Sequence, residues 1–131
     1  MRNQFYSDLN FSACSMIKKF RIPDYEIRPL ATGKGSCIAS DEITIQGKRV
    51  GFMYRDIPYD ETDSGWRFFS GDETQEFTDD PTHFEIYDVN TIANYEPAII
   101  DLLDSPVMSA FGRNPNSENF EPTPFPVSGL Q

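Results

Sequence analysis

The run DSGWRFFSGDE, residues 63–73, is the most distinctive stretch of the chain. It holds the single tryptophan, Trp66, two adjacent phenylalanines and a closing acidic pair. Bulky aromatic residues suit a pleated, half-buried surface, so residues 66–69 favour a β-strand. Successive side chains of a strand point to opposite faces, so these aromatic residues cannot all share one face. Glycines flank the strand, and Ser70 with Glu73 fits a helix-capping pattern. The run predicts an aromatic strand between two polar turns.

Strand signals continue on both sides of this run. We expect strands near 36–40, 50–55, 65–70, 84–89 and 107–111, and the clean apolar–polar alternation of 84–89 is the clearest of them. Residues 36–54 suggest a hairpin or meander, and short connections favour antiparallel neighbours. Apolar spacings of three and four predict a helix near 8–20, Asn90 is a candidate cap for a helical turn at 91–94, and Pro97 suits the start of a helix at 97–103. The pattern predicts an α+β fold: a single small domain with a mostly antiparallel sheet and two or three helices packed on it.

Length and composition suggest three segments. A chain of 131 residues is long enough to bury a core as one domain. Proline and glycine punctuate residues 23–35, so residues 1–35 are expected to form an N-terminal helical extension and connector. Residues 36–112 would be the main domain. Four prolines with Asn and Ser follow, and they predict a disordered tail over residues 113–131.

The charge is unevenly distributed. The net charge is −10; residues 1–55 hold nine basic and five acidic side chains, whereas residues 56–104 hold fourteen acidic ones and a single basic one, Arg67. Such a segment repels nucleic acid and anionic membranes and attracts a basic partner. The alternative is an acidic face that only favours solubility.

Other features point to the cytoplasm. No run of about 18 apolar residues is present, and the N-terminus lacks the apolar core of a signal peptide. Cys14 and Cys37 are expected to be reduced, buried thiols.

Two loops resemble ligand sites without completing them. Residues 60–65 match the first half of a calcium loop, but its twelfth position is Gly71 instead of a bidentate Glu. Residues 32–36 are glycine-rich but lack the order of a phosphate-binding loop. With His83 as the single histidine, a zinc site is not expected. We therefore predict no metal and no cofactor.

Catalysis has little support in the sequence. Asp72 with Glu73 and Asp79 with Asp80 are adjacent pairs, and adjacent side chains on a strand point to opposite faces. Any triad would have to use His83. No catalytic residue is predicted, and the chain is not expected to be an enzyme.

Four runs carry a resemblance to a known family. They are GWRFFSGDE at 65–73, VGFMYR at 50–55, IYDVNTI at 86–92, and LLDSP at 102–106 before Ala110 and Phe111. In this order they resemble a bacterial domain that was first catalogued as of unknown function and then described as the thirty-third immunity family of polymorphic toxin systems. The resemblance covers about residues 37–111. It implies a cytoplasmic protein that binds and neutralises a toxin, and it brings no catalytic residues.

The leading hypothesis is an immunity-type binding protein with an acidic surface. Its candidate contacts to a basic protein toxin are Asp60, Asp63, Trp66, Asp72 and Glu73, although Trp66 is expected mainly to support folding. An alternative is a small-ligand-binding or enzymatic domain that uses the polar turns around Trp66. A third is a structural or adaptor domain. A deep pocket with converging carboxylates would favour the second hypothesis, and an acidic face with exposed aromatic residues would favour the first. The sequence specifies no oligomeric state.

Overall fold

The computed structural model describes residues 18–114 and 116–126. Within them, six strands form one sheet: β1 Ser36–Ser40, β2 Phe52–Arg55, β3 Asp63–Phe69, β4 Phe84–Asp88, β5 Ala110–Arg113 and β6 Phe120–Pro122. The α-helices there are α1 Asp41–Thr44, α2 Gln75–Thr78 and α3 Val89–Tyr95, and 3-10 helices cover Asp24–Glu26, Pro81–His83 and Pro97–Leu102. The protein is a small α+β domain, as the sequence predicts.

The sheet is mixed, which corrects the expectation of a mostly antiparallel one. The strand order is β4-β1-β3-β2-β5-β6, and β1 pairs with β3 in parallel while the other pairings are antiparallel. Residues 41–62 separate β1 from β3, which is long enough for the crossover that parallel pairing needs. The suggested hairpin over residues 36–54 is therefore wrong, because β3 lies between β1 and β2.

The core lies on one face of the sheet. Trp66 and Phe68 of β3 alternate with outward residues and are 1% and 0% exposed. They pack with Met53, Ala39 and Cys37 beneath apolar side chains of α3 and of the 97–102 helix. The indole Nε1–H of Trp66 donates to the Leu103 carbonyl at 3.1 Å. The strand predicted from residues 63–73 is β3, and its residues Trp66 and Phe68 lie at the centre of the core.

Polar caps place the short helices differently from the sequence prediction. Ser40 caps α1 by accepting from the Glu42 N–H, so residues 41–44 form a helix inside the stretch for which a hairpin or meander is predicted. Asp88, not Asn90, caps α3, and Thr74, not Ser70, caps α2. Pro97 opens its helix as expected, in the 3-10 form.

Described residues on both sides of the predicted main domain contact it. The helix predicted near 8–20 lies outside the described residues except for residues 18–20, which are not helical. The Asn90 side chain on α3 accepts from the N–H groups of Leu30 and Ala31, so the connector is held against that helix. The segment 113–131, for which a disordered tail is predicted, supplies β6 to the sheet. Proline is tolerated there because β6 is an edge strand.

Candidate functional site

The second face of the sheet carries aromatic rings. Phe52, Tyr54, Phe69 and Phe84, here called the aromatic platform, come from strand positions that alternate with the core residues. Tyr54 stacks on Phe69 with ring centroids 5.9 Å apart, and Phe52 lies 5.8 Å from Tyr54 and 5.9 Å from Phe69. Phe84 meets Phe69 edge-on at 5.8 Å. Phe69 therefore occupies the opposite face from Trp66, as strand alternation requires.

An open cleft of about 860 Å³ adjoins the platform. Its floor includes Phe52, Tyr54 and Phe69, and its walls come from residues 47–51, 70–73, 112–114 and 117–118, with Gln75 and Thr78 at one side. Two of the sequence-predicted contacts, Asp72 and Glu73, line this cleft. The cleft thus combines an apolar floor with a charged rim.

The carboxylates on the rim of the cleft have separate partners. Glu73 accepts from the backbone N–H groups of Ser70 and Gly71 at 2.8 and 3.0 Å, so it holds the turn after β3. Asp72 lies 3.6 Å from Lys48, with 72% of its side chain exposed. Glu118 pairs with Arg49. Each of these carboxylates is thus held by a different partner.

A buried ion cluster supports one wall of the cleft. Glu96 is 3% exposed and accepts from both Arg49, at 3.1 and 3.0 Å, and Arg113, at 3.0 and 3.3 Å. Burial alone would raise the pKa of Glu96, but the hydrogen bonds from Arg113 and Arg49 outweigh it and lower that pKa. The Arg113 guanidinium also lies 4.3 Å from the Phe120 ring centroid. Glu96 therefore fixes the strand ends that frame the cleft.

The other two acidic candidates lie at the opposite end of β3. Asp63 accepts from Arg67 at 3.0 and 2.8 Å and from the N–H groups of Tyr59 and Gly65, each at 2.8 Å. Burial would raise the pKa of Asp63, but the hydrogen bonds from Arg67 and these amides lower it to about 2. Asp60 caps its turn by accepting from the Thr62 hydroxyl and amide, and these bonds lower its pKa. Both residues hold the loop before β3.

The structure does not bring the five candidates into one site. Trp66 is 1% exposed on the core face, so it presents no surface to a partner. Asp63 forms a buried ion pair with Arg67, and 9% of its side chain is exposed. Among the five, Asp72 and Asp60 are exposed, and they lie at opposite ends of β3.

Acidic loops border the platform at both ends of β3. The loop before the strand, residues 56–63, and the loop after it, residues 70–80, together hold nine acidic side chains and no basic one. Five of them are exposed: Asp60, Glu61, Asp72, Glu76 and Asp79. The sequence analysis missed the platform residues Phe52, Tyr54 and Phe84. The signal for them is the alternation of strands β2 and β4, which puts their rings opposite the core residues.

Other site types have no support in the part of the chain that the structure describes. Residues 18–114 and 116–126 contain no group of three or more His, Cys, Asp or Glu side chains placed to hold a metal ion. Cys37 is buried in the core, and burial raises the pKa of its thiol far above the ordinary value. No helix among these residues has the length and apolar character to cross a membrane.

Comparison with known families decides the relationship. The sequence matches the immunity protein Imm33 domain over residues 37–122. The chain belongs to the Imm33 immunity-protein family. The match begins at the second residue of β1 and ends with the last residue of β6, so it covers the sheet except Ser36, together with the aromatic platform and both acidic loops. The resemblance read from the four sequence runs is confirmed, and the matched region extends beyond residue 111. Neither a curated protein nor a solved structure matches the chain.

Proposed function

We propose that this Imm33 protein binds a basic protein toxin in the bacterial cytoplasm and neutralises it by binding, without catalysis. The contact surface would be the aromatic platform together with the acidic loops at residues 56–63 and 70–80. The observation that carries this proposal is the platform itself: half-buried rings of Phe52 and Phe69 line an open cleft whose rim carries the exposed Asp72. Protein interfaces draw most of their energy from a few such aromatic anchors.

The charge of the loops supports a basic partner. The two loops carry nine carboxylates and no basic residue. Asp63 pairs with Arg67 and Asp72 lies near Lys48, but the remaining excess of carboxylates creates a negative field around both ends of the platform. A field of this kind accelerates the encounter with a positively charged protein and disfavours nucleic acid and anionic lipid. Membership of an immunity family supports a toxin as that protein.

A small ligand in the cleft is the second candidate. Its volume, about 860 Å³, lies within the range of about 300–1,000 Å³ that is usual for ligand pockets. The separate partners of Asp72, Glu73 and Glu118 argue against a pair of catalytic carboxylates there. The cleft thus favours recognition over acid–base chemistry.

Charge variants with a matched control test the proposed surface. The triple variant Glu61→Gln, Asp72→Asn, Glu76→Gln removes three exposed charges from the loops. The control Asp24→Asn, Glu26→Gln, Asp101→Asn removes three exposed charges elsewhere, since Asp24 lies beside Tyr95 of α3 and Asp101 is in the 97–102 helix. Both variants change the net charge equally, so any difference between them reports position.

The readout is the association rate with a toxin identified from the genes beside this one, at low and high salt. The loop variant should associate about ten-fold more slowly than wild type at low salt, and the difference should shrink as salt screens the charges. The control should slow association much less. Equal rates for both variants at low salt would refute the steering surface. A small molecule that co-purifies in the cleft, with no protein complex formed, would favour the second candidate.

A further inference from the structure

The tail of the chain reaches the aromatic platform. Beyond β6, the Thr123 N–H donates to the Ala110 carbonyl at 2.9 Å and continues the ladder by one bond. The Phe125 ring then packs edge-on against Tyr54, with centroids 5.4 Å apart and an interplanar angle of 84°. Pro126 is buried. Residues 123–126, here called the strap, therefore leave the sheet edge and place an aromatic ring on the proposed contact surface.

Beyond the single backbone bond of Thr123, side chains hold the strap in place. Pro124 and Pro126 have no N–H to donate, so the strap cannot extend the ladder of β6. Among the described residues, positions 124–126 make no backbone–backbone hydrogen bond. The Phe125 ring and the buried Pro126 are the visible attachments. A segment held in this way can leave without breaking the sheet.

The family boundary separates the strap from the surface beneath it. The Imm33 match ends at residue 122, so Tyr54 and Phe69 belong to the family domain and Phe125 does not. The strap carries no charge, whereas the loops around the platform are acidic. It therefore adds an apolar cover to the surface and leaves the surrounding field unchanged.

We propose that the strap is an intramolecular ligand of the platform, and that a protein partner displaces it and sets an aromatic side chain of its own against Tyr54. This inference rests on the proposed function for the identity of the partner. The strap indicates the chemistry of the partner's segment. The position over Tyr54 accepts an uncharged aromatic ring, edge-on, from an extended segment in which prolines flank the aromatic residue. A short tether gives the strap an effective concentration of about a millimolar, so it competes with any incoming segment. Weakening the strap should therefore strengthen binding in trans.

A peptide can test the site without the toxin. The probe is a synthetic peptide with the sequence of residues 121–128, EPTPFPVS, and the control peptide has alanine in place of its phenylalanine. Each is titrated by NMR into the full wild-type chain and into the full-length Phe125→Ala variant. The variant should bind the probe at least ten-fold more tightly than wild type, with the ring signals of Tyr54 and Phe69 shifting. The control peptide should bind neither chain.

The opposite outcomes are equally clear. Equal affinity of both chains for the probe, no binding at millimolar peptide, or shifts confined to other residues would overturn the inference. If the Tm of Phe125→Ala shows that it is unfolded, Phe125→Leu carries the same test, because it keeps an apolar anchor but removes the ring. Failure of the peptide to bind leaves toxin neutralisation untouched, and failure of neutralisation leaves peptide binding untouched, so the two proposals fail separately.

Discussion

Replacing Asp63 with Asn should weaken the fold, although Asp63 is one of the acidic residues that the sequence suggests for binding. Its carboxylate accepts four hydrogen bonds, two from Arg67 and one each from the Tyr59 and Gly65 amides. An amide group turns one acceptor into a donor that faces one of these N–H groups, and it leaves the Arg67 guanidinium, with 11% of its side chain exposed, without a counter-charge. The variant should therefore lose stability rather than only charge.

The pKa of Asp63 gives the size of the effect. It falls from an ordinary 3.8 to about 2, and one pKa unit is worth about 1.4 kcal/mol, so ionisation stabilises the fold by about 2.5 kcal/mol. Because the folded-state pKa is the lower one, this stabilisation is present above pH 3.8 and is lost as the pH falls towards 2. Urea unfolding should show Asp63→Asn about 2–3 kcal/mol less stable than wild type at pH 7, with the gap narrowing below about pH 4.

The control for this prediction is Asp101→Asn, which changes an exposed carboxylate in the 97–102 helix. Its free energy of unfolding should equal that of wild type. A loss below about 0.5 kcal/mol for Asp63→Asn at pH 7, or a gap that stays constant between pH 5 and pH 3, would refute the reasoning. In either case the carboxylate would be free for a partner. With the predicted loss, Asp63 has to be left intact in any binding assay.

Two substitutions and one binding measurement test the fold and the site further. Trp66→Ala should lower the free energy of unfolding by about 3–5 kcal/mol, since it empties a core position, and an unchanged Tm would place Trp66 on the surface. Gly65→Ala should lower the Tm more than Gly112→Ala. Gly65 has φ +90° and its added Cβ would lie 2.3 Å from the Asp56 carbonyl oxygen, whereas the nearest atom to a Cβ at Gly112 is 3.8 Å away. Equal Tm values for the two variants would contradict this. Calorimetry should detect no Ca²⁺ or Zn²⁺ binding in the micromolar range, and such binding would overturn the metal-free site.

Local patterns predicted most of the sheet. β1 and β4 lie where composition and alternation put them, and β3 begins two residues before its predicted start. These signals are local, since they depend on how each strand buries one face. The parallel pairing of β1 with β3 depends on the path of residues 41–62, which no short pattern encodes. β6 was missed because its Pro-rich composition is typical of disorder, whereas an edge strand needs fewer N–H donors.

The sequence predicted the charge of the site but not the hydrogen-bond and ion-pair partners of its carboxylates. The excess of carboxylates over residues 56–104 can be counted from the sequence. The sequence does not show that Glu73 binds backbone amides or that Asp63 binds Arg67, because both depend on the path of the turns. Alternation indicates that Trp66 and Phe69 lie on opposite faces, but helix packing decides which face becomes the core. The aromatic platform therefore emerges only with the tertiary structure.

Growth protection tests the proposed function most directly. A toxin identified from the neighbouring genes is expressed in a bacterial host with wild type, with the Glu61→Gln, Asp72→Asn, Glu76→Gln variant, or with the Asp24→Asn, Glu26→Gln, Asp101→Asn control, all at equal protein levels. Wild type and the control should restore growth and form a complex with the toxin, and the loop variant should protect at a lower toxin dose only. Protection without a complex, or equal protection by both triple variants at every dose, would contradict neutralisation through the acidic loops around the aromatic platform.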